Sequence, residues 1–208
     1  MTSQTKVVGH NTPKLDAPSK VTGQTQYGAD VHPENCLYGF ALRSAYAHAE
    51  MNGIHLERAN ALEGVVAIYT AKDIKGTNLH GLIRRDQEAI VTHKARYKGD
   101  VMALIIANSF QIAQQAAHLI EVDYTPLPGI FTFEEALAED APKLHPKGNI
   151  LHTTRIRKGN MEQGWKDAEV IVSKTLQTQS VDHAFLEPEA GYALYDKETE
   201  ILHLYAAG

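Results

Sequence analysis

The chain has 208 residues, of which 43% are hydrophobic and 22% are charged. This composition is ordinary for a globular protein and argues against wholesale disorder, and the length predicts one or two domains at about 150 residues each. The longest apolar run, Val101 to Ala107, is far shorter than the roughly 20 residues of a membrane-spanning helix. The first fifteen residues lack the apolar segment of a signal peptide, so neither a membrane span nor a signal peptide is expected.

The net charge of −5 is distributed unevenly along the chain. Residues 1–104 carry 12 basic and 10 acidic residues, whereas residues 105–208 carry 8 and 15. Neither half has the strong basic excess of a nucleic-acid-binding domain, so no nucleic-acid partner is expected. Cys36 is the only cysteine, which excludes an intrachain disulfide, a cysteine-ligated zinc finger and an internal iron–sulfur cluster. A free thiol fits a reducing compartment, and we expect the protein in the cytoplasm.

The apolar pattern predicts a mixed α and β core in the first 126 residues. Residues 1–36 are rich in Gly, Pro, Thr, Asn and Asp and favour an extended arm with short β segments. Apolar and β-branched runs predict strands at residues 37–43, 51–56, 65–70, 101–107 and 121–124. Helical spacing predicts a short helix over 57–62, ended by Gly64, and a longer helix over 109–120 with Ser109 as its N-cap.

The second part of the chain is separated from the first by a proline-rich stretch. Residues 126–150 hold four of the eight prolines and one helical patch at 133–139, and we interpret them as a linker. Strands are predicted at 151–158, 169–178, 191–195 and 201–205, and a helix after Asn160 through Ala168. The last strand runs almost to Gly208, and about 60 strand-rich residues are few for an independent core. We therefore expect a truncated piece of a longer protein.

Histidines and carboxylates offer the first candidates for chemistry. None of the eleven histidines belongs to a metal-binding cassette such as His-Glu-x-x-His. His183 and Glu187 stand four residues apart, which would place them on one face of a helix, but Pro188 opposes a helix there. Glu187 and Glu189 could act as an acid–base pair, yet the proline between them favours a turn. A structural role is the preferred interpretation for these residues.

Five basic residues lie within fifteen positions, interrupted by Asp86 and Glu88: Arg84, Arg85, Lys94, Arg96 and Lys98. Such a cluster could contact a phosphate or a cofactor, and a solvated loop is the alternative that we favour. Glycine-rich phosphate loops and the Gly-x-Ser-x-Gly elbow are absent, and nothing near Cys36 indicates an activated thiolate. The residues alone therefore indicate a mixed α and β fragment without a recognisable catalytic centre.

Six ordered sequence blocks nevertheless stand out along the chain: residues 16–23 with Tyr27 and Asp30, residues 43–49 (Arg-Ser-Ala-Tyr-Ala-His-Ala), 64–74, 96–103, 121–128 and 183–190 (His-Ala-Phe-Leu-Glu-Pro-Glu-Ala). Together these blocks resemble the molybdenum-binding subunit of the xanthine dehydrogenase and aldehyde oxidase family. In the fourth block Val101 replaces the usual proline. The series covers nearly the whole chain.

The resemblance implies an α+β fold class, with an α/β hammerhead domain followed by the start of a molybdopterin-binding domain. The corresponding domain bounds are an extended arm over 1–15, the hammerhead domain over 16–126, a linker over 127–150 and the truncated start of the molybdopterin-binding domain over 151–208.

The resemblance also implies an activity for the parent enzyme. Family members hydroxylate an electron-poor carbon of a purine or aldehyde at a molybdopterin cofactor and pass electrons through [2Fe–2S] clusters to FAD. The family's first cofactor-side glutamine would follow Gly208, and its catalytic glutamate lies far beyond. We therefore assign no catalytic, cofactor-binding or metal-binding residue to this chain, and we expect it to bind no cofactor alone and to be inactive by itself.

The expected partners follow from the same resemblance. They are the remainder of the molybdenum subunit and, if Met1 is the native start, separate iron–sulfur and FAD subunits, because no such domain stands between Met1 and the first block. The exposed face of a truncated chain is compatible with association into an oligomer. The alternative hypothesis is a stand-alone hammerhead module that binds or scaffolds without catalysis. Neither hypothesis specifies which purine or aldehyde the parent oxidises.

Overall fold

A computed structural model describes residues 7–185 and 187–207 of the chain. It divides into two compact units, one of residues Asn35–Glu169 and one of residues Met1–Glu34 with Val170–Gly208. The strands among the described residues are β1 (Tyr38–Arg43), β2 (Ala49–His55), β3 (Val65–Tyr69), β4 (Leu79–His80), β5 (Gln87–Glu88), β6 (Lys94–Ala95), β7 (Val101–Ala107), β8 (Glu121–Pro126), β9 (Gly191–Asp196) and β10 (Ile201–Ala206). The α-helices are α1 (Ala17–Val21), α2 (Glu57–Asn60), α3 (Phe110–Leu119), α4 (Phe133–Leu137) and α5 (Met161–Asp167).

The core of the Asn35–Glu169 unit is organised around β7. This strand is the middle of a three-stranded antiparallel sheet with the order β1-β7-β3. Ala103, Ile105 and Ala107 belong to the same buried cluster as the alanines of α3, whereas Met102 packs in a second cluster with Val91. One face of β7 is therefore buried along most of its length, whereas on the other face Met102 is buried and Leu104 and Ile106 are partly exposed.

Helix α3 packs closely on this sheet because its inner face is made of alanine. Ala113 and Ala116 are completely buried against the sheet. The Ser109 hydroxyl accepts a hydrogen bond from the Ile112 amide at 3.2 Å and satisfies one of the first free amides of the helix. The sequence therefore defines both the start of α3 and the face that it buries.

A second antiparallel sheet has the order β6-β2-β8. Leu42 from the first sheet and Val122 from the second are each packed against both buried clusters. The two sheets of this unit thus share one apolar interior. The β4–β5 hairpin is a separate two-stranded sheet in the same unit, and its base is held by Asn78, whose amide nitrogen donates to the Ile90 carbonyl at 2.7 Å.

The other unit combines α1 with the antiparallel hairpin of β9 and β10. The rings of Tyr192 and Tyr205 stack across this hairpin with centroids 4.7 Å apart. Its turn is closed by Asp196, whose carboxylate accepts hydrogen bonds from the Glu198 amide at 2.8 Å and the Thr199 hydroxyl at 2.7 Å. Local polar contacts thereby define the register of the hairpin.

Most of the predicted elements are confirmed by the structure. The strands predicted at 37–43, 51–56, 65–70, 101–107, 121–124, 191–195 and 201–205 are present within two residues of the expected ends, and the four predicted helices are present as α2, α3, α4 and α5. Asn160 caps α5 as expected, accepting from the Gln163 amide at 3.1 Å.

The strands predicted at 151–158 and 169–178 are wrong, since both segments lack regular secondary structure and are exposed. A strand exists only with a hydrogen-bonded neighbour, and the described residues offer these segments none.

The expectation of an extended arm over residues 1–36 is also wrong in part. Residues 1–6 lie outside the described part of the chain, and residues 7–15 form turns without a helix or strand. Helix α1 and a 3₁₀ turn at Gly28–Asp30 follow. An ion pair of 2.6 Å between Lys20 and Asp16, one helical turn apart, supports α1.

The bounds predicted for the four domains stay a prediction. No helix in the described ranges is long and apolar enough to cross a lipid bilayer.

Gly64 is required where the chain leaves α2 and enters β3. Its φ is +91°, a conformation that costs other residues roughly 1–2 kcal/mol, and a Cβ atom there would lie 2.7 Å from Cδ1 of Ile112 in α3. We predict that Gly64→Ala lowers the free energy of unfolding of the chain by about 2 kcal/mol in urea denaturation.

Gly76→Ala is the matched control, because a Cβ atom at Gly76 meets nothing within 4 Å. The double variant Gly64→Ala/Ile112→Val removes the clashing Cδ1 atom and separates the steric cost from the backbone cost. Equal stability of Gly64→Ala and Gly76→Ala would contradict this account.

Candidate functional site

The second and fourth family blocks meet directly after β1 and directly before β7. The Ser44 amide donates to the carbonyl of Asp100 at 2.7 Å, and Nη1 of Arg43 donates to the Gly99 carbonyl at 2.8 Å. Asp100 is only 6% exposed. Its carboxylate accepts from the Arg96 amide at 2.6 Å and from the adjacent Tyr97 amide at 3.3 Å. The two blocks therefore form one hydrogen-bonded junction.

His48 in the second block also contacts the fifth block. Its Nδ1 atom donates to the Pro128 carbonyl at 2.7 Å, and its own carbonyl accepts from the Leu127 amide at 2.9 Å. His48 is 4% exposed, and its Nε2 atom is buried without a hydrogen-bond partner among the described residues. Tyr46 and Tyr124 from the same two blocks pack with their ring centroids 5.0 Å apart. This histidine thus fixes the end of β8 against the start of β2.

The first and sixth blocks meet in the other unit. Oε1 of Glu187 accepts from the Gly28 amide at 3.0 Å, just after Tyr27 of the first block. The flanking residues on both sides of position 186 form no helix, so His183 and Glu187 do not share a helical face. The His183 ring instead stacks on Phe185 with centroids 5.6 Å apart. The structural role expected of His183 and Glu187 stays a prediction.

The predicted basic cluster separates into two kinds of residue. Arg96 is partly buried, and its Nε atom donates to the Leu144 carbonyl at 2.9 Å while Nη1 lies 3.8 Å from Glu88. Arg84 and Arg85 lie on the exposed loop between β4 and β5 and have no ion pair or side-chain hydrogen bond among the described residues. They line a cavity of about 660 Å³. The cluster therefore contains one structural arginine and two unpaired ones.

The second wall of this cavity is the loop of residues 144–151. Asn149 shapes the loop from within, because its Oδ1 accepts from the Leu144 amide at 2.9 Å and its Nδ2 donates to the Pro142 carbonyl at 3.0 Å. The Nδ1 atom of His145, which also lines the cavity, is buried without a hydrogen-bond partner among the described residues. No signal in the sequence joined these residues to Arg84 and Arg85.

Two surface ion pairs connect β8 to neighbouring elements. Nε2 of His55 lies 2.8 Å from Oδ2 of Asp123, and Arg58 lies 2.7 Å from Glu121. The hydrogen bond to the Asp123 carboxylate raises the pKa of His55 above its ordinary value of 6.5. At Cys36, hydrogen bonding to the thiol likewise raises the pKa of Tyr38 above its ordinary value. Neither pair lines one of the two cavities described here.

Comparison with protein families assigns the two parts of the chain. Residues 22–128 match the family model described as "Aldehyde oxidase and xanthine dehydrogenase, a/b hammerhead domain". Residues 144–208 match the model "Molybdopterin cofactor-binding domain". The chain belongs to the aldehyde oxidase and xanthine dehydrogenase family, in which it corresponds to the amino-terminal part of the molybdenum-binding subunit. The resemblance and the expected α+β fold class are thereby confirmed.

Individual relatives support the same assignment. The chain is 35% identical to the nicotinate dehydrogenase large molybdopterin subunit of Eubacterium barkeri over 193 residues, which is 93% of this chain and 45% of that protein. It is 36% identical to a probable xanthine dehydrogenase subunit of Bacillus subtilis over 179 residues, 86% of this chain and 24% of that protein. The chain thus spans about half of the first relative and a quarter of the second.

Solved structures agree in fold. The aldehyde oxidoreductase from Desulfovibrio gigas superposes with a TM-score of 0.84 at 27% identity, over 93% of this chain and 23% of that one. Quinoline 2-oxidoreductase from Pseudomonas putida gives a TM-score of 0.85 at 25% identity, over 98% of this chain and 27% of that one.

The family match implies a molybdopterin cofactor, and where this cofactor would be bound stays a prediction. The described residues bring together no group of three or more His, Cys, Asp or Glu side chains that could hold a metal ion. The large cavity and a neighbouring one of about 260 Å³ are lined by residues between 84 and 151. Of the residues that match the molybdopterin cofactor-binding family, only the first eight, 144–151, line these cavities. No chemical step is therefore assigned to these residues, and the absence of catalytic, cofactor-binding and metal-binding residues stays a prediction.

The Asp100 junction generates a stability prediction. Asp100→Ala leaves the Arg96 and Tyr97 amides without their acceptor, and hydrogen bonds to a charged group contribute about 1.5–3 kcal/mol. We expect a loss of about 3 kcal/mol in the free energy of unfolding, measured in urea, and a smaller loss for Asp100→Asn, which keeps one oxygen. Exposed Asp140 supplies the control, and Asp140→Ala should change stability by less than about 0.5 kcal/mol. Similar values for Asp100→Ala and Asp140→Ala would refute the stabilising role of the Asp100 carboxylate.

The His55–Asp123 pair generates a pH-dependence prediction. Because folding raises the pKa of His55, the pair stabilises the fold fully below the unfolded pKa of 6.5 and loses this effect as pH rises through the folded pKa. We expect His55→Gln to lower the thermal midpoint more at pH 5.5 than at pH 9. His80→Gln, at an exposed histidine on β4, should show a smaller pH-dependent difference. A His55→Gln effect that is equal at both pH values would contradict the prediction.

Proposed function

We propose that this chain serves as the hammerhead domain and the first part of the molybdopterin-binding region of a xanthine dehydrogenase-like hydroxylase, and that it is inactive by itself. The observation that carries the proposal is the succession of the two family matches along one chain, at 22–128 and 144–208. In this proposal the molybdopterin cofactor supplies the hydroxylation chemistry when bound by segments further along the parent protein. The role of this chain is to fold, to position those segments and to present surfaces to them.

Exposed apolar surface supports the idea that further protein covers this chain. Large apolar side chains are more than half exposed on α5 and in the irregular segments on either side of it, and on β10. Examples are Ile156, Trp165, Val172, Leu176 and Leu204. Monomeric proteins seldom leave so many apolar side chains in water, and such surfaces are typical of interfaces. In the parent enzyme these surfaces would be buried by the remainder of the molybdenum subunit.

The substrate and partner classes follow from the relatives. The names of relatives and neighbours include xanthine, nicotinate and quinoline, which are nitrogen heterocycles, and also an aldehyde. We propose a purine, an aldehyde or a related electron-poor ring as the substrate of the parent. Several relatives are named as subunits, which supports an assembly with further subunits. We propose iron–sulfur and FAD subunits as these partners and the cytoplasm as their location.

The experiment compares the chain alone with the chain co-produced with the remainder of the parent's molybdenum subunit and its partner subunits. Molybdenum content is measured by mass spectrometry, and oxidation of xanthine, nicotinate and an aldehyde is followed with an artificial electron acceptor. We expect molybdenum and turnover only in the co-produced assembly.

Stoichiometric molybdenum and turnover in the chain alone would overturn the proposed inactivity. Reading the gene beyond codon 208 separates the alternatives at lower effort. A long continuation is expected, whereas a stop codon would favour the stand-alone binding or scaffold module.

A further inference from the structure

The cavity between the β4–β5 hairpin and the loop of residues 144–151 concentrates positive charge on a chain that is acidic as a whole. Arg84, Arg85 and Lys147 line it with a single carboxylate, Asp86, whereas the complete chain has a net charge of −5. None of the three cations has an ion pair or a side-chain hydrogen bond among the described residues. Basic side chains that line a concave surface without a carboxylate partner are typical of an anion site.

Both walls of the cavity are built by local hydrogen bonds. On one side the β4–β5 pairing brings Leu79 opposite Glu88 and closes the loop that carries the two arginines. In that loop a Cβ atom at Gly81 would collide with the Arg84 carbonyl, so the loop backbone is tightly turned. On the other side the Gly148 amide donates to the His145 carbonyl at 2.9 Å. Preformed walls of this kind reduce the ordering cost of binding.

The opposite wall combines apolar side chains with an unsatisfied polar atom. Leu144, Pro146, Ile150 and Leu151 line the cavity together with the cations. The volume of about 660 Å³ falls within the usual range of small-molecule sites, roughly 300–1,000 Å³. The buried Nδ1 atom of His145 lacks a partner among the described residues, and such atoms commonly mark a place where a further group or water belongs.

We propose that this cavity binds an organic oxyanion, a carboxylate or phosphate group carried on an apolar body of the size of one ring. Arg84 and Arg85 would bind the anionic group, since guanidinium matches the planar and tetrahedral oxyanions with paired hydrogen bonds. The apolar side chains of the 144–151 loop would cover the ring. The inference concerns the Asn35–Glu169 unit alone and does not rest on the proposed function.

The test uses isothermal titration calorimetry on the full 208-residue chain at low salt. The probes are phenyl phosphate, benzoate and the uncharged benzyl alcohol. We expect saturable binding of at least one anionic probe, no binding of benzyl alcohol, and weaker binding as salt is added. The ratio of the affinities for phenyl phosphate and benzoate shows whether the site prefers a phosphate or a carboxylate.

Two double variants with the same change in net charge locate the site. Arg84→Gln/Arg85→Gln should weaken binding at least tenfold, whereas Lys75→Gln/Lys98→Gln, at residues outside the cavity lining, should leave the affinity unchanged. An unchanged thermal midpoint establishes that the arginine variant is folded, and amide chemical shifts of Gly148 and Asn149 should move on titration of the wild-type chain. The absence of saturable binding, an equal loss in both variants, or shifts confined to other residues would each overturn the proposal.

Discussion

The buried carboxylate of Asp100 is the interaction on which the larger unit depends most. It lies directly before β7, the middle strand of the first sheet, and its Oδ2 atom accepts two backbone amides while the main-chain carbonyl of Asp100 accepts from the Ser44 amide at the end of β1. Burying a carboxylate is costly unless it accepts hydrogen bonds, so a rearrangement of the loop that removes the two amides from Oδ2 carries an energetic cost. The junction therefore determines where β7 begins and how β1 is aligned beside it.

The same logic extends to the other blocks that mark the family. The second block is joined to the fourth through Asp100 and to the fifth through His48, and the sixth is joined to the first through Glu187. The His48 and Glu187 side chains bind backbone atoms of segments that are distant in sequence, whereas Asp100 reaches Ser44 through its main-chain carbonyl. The residues that make the chain recognisable are thus contacts that hold segments together. This explains how a chain can carry a clear family signature while its described residues form no metal site.

The sequence predicted the helices and strands correctly where the interactions that determine an element are local, or where the residue pattern is compatible with only one kind of element. The unbroken apolar run of residues 101–107 predicted a strand, and Ser109 followed by alanines at helical spacing predicted the start and the inner face of α3. The strands expected at 151–158 and 169–178 failed because apolar composition cannot supply the neighbouring strand that pairing needs. Composition also missed α1, where an ion pair between Asp16 and Lys20 supports a short helix.

Contacts between distant residues were beyond prediction from a single sequence. Gly28 and Glu187 are 159 positions apart, and neither the spacing nor the residue types of these segments indicates that they meet. The cavity has the same origin, because Arg84 and Arg85 acquire their apolar counterpart from a loop about 60 residues further along the chain. The basic cluster was visible, but its division into a structural arginine and two unpaired ones depends on the fold.

Native-state hydrogen exchange by NMR tests the central claim most directly. If Asp100 organises this unit, the amides of Ser44, Arg96 and Tyr97 will exchange as slowly as the amides of β7, because they are released only when the core opens. Exchange of these three amides at the rate of an exposed loop amide such as that of Lys98 would contradict the account, since the junction would then open independently of the core.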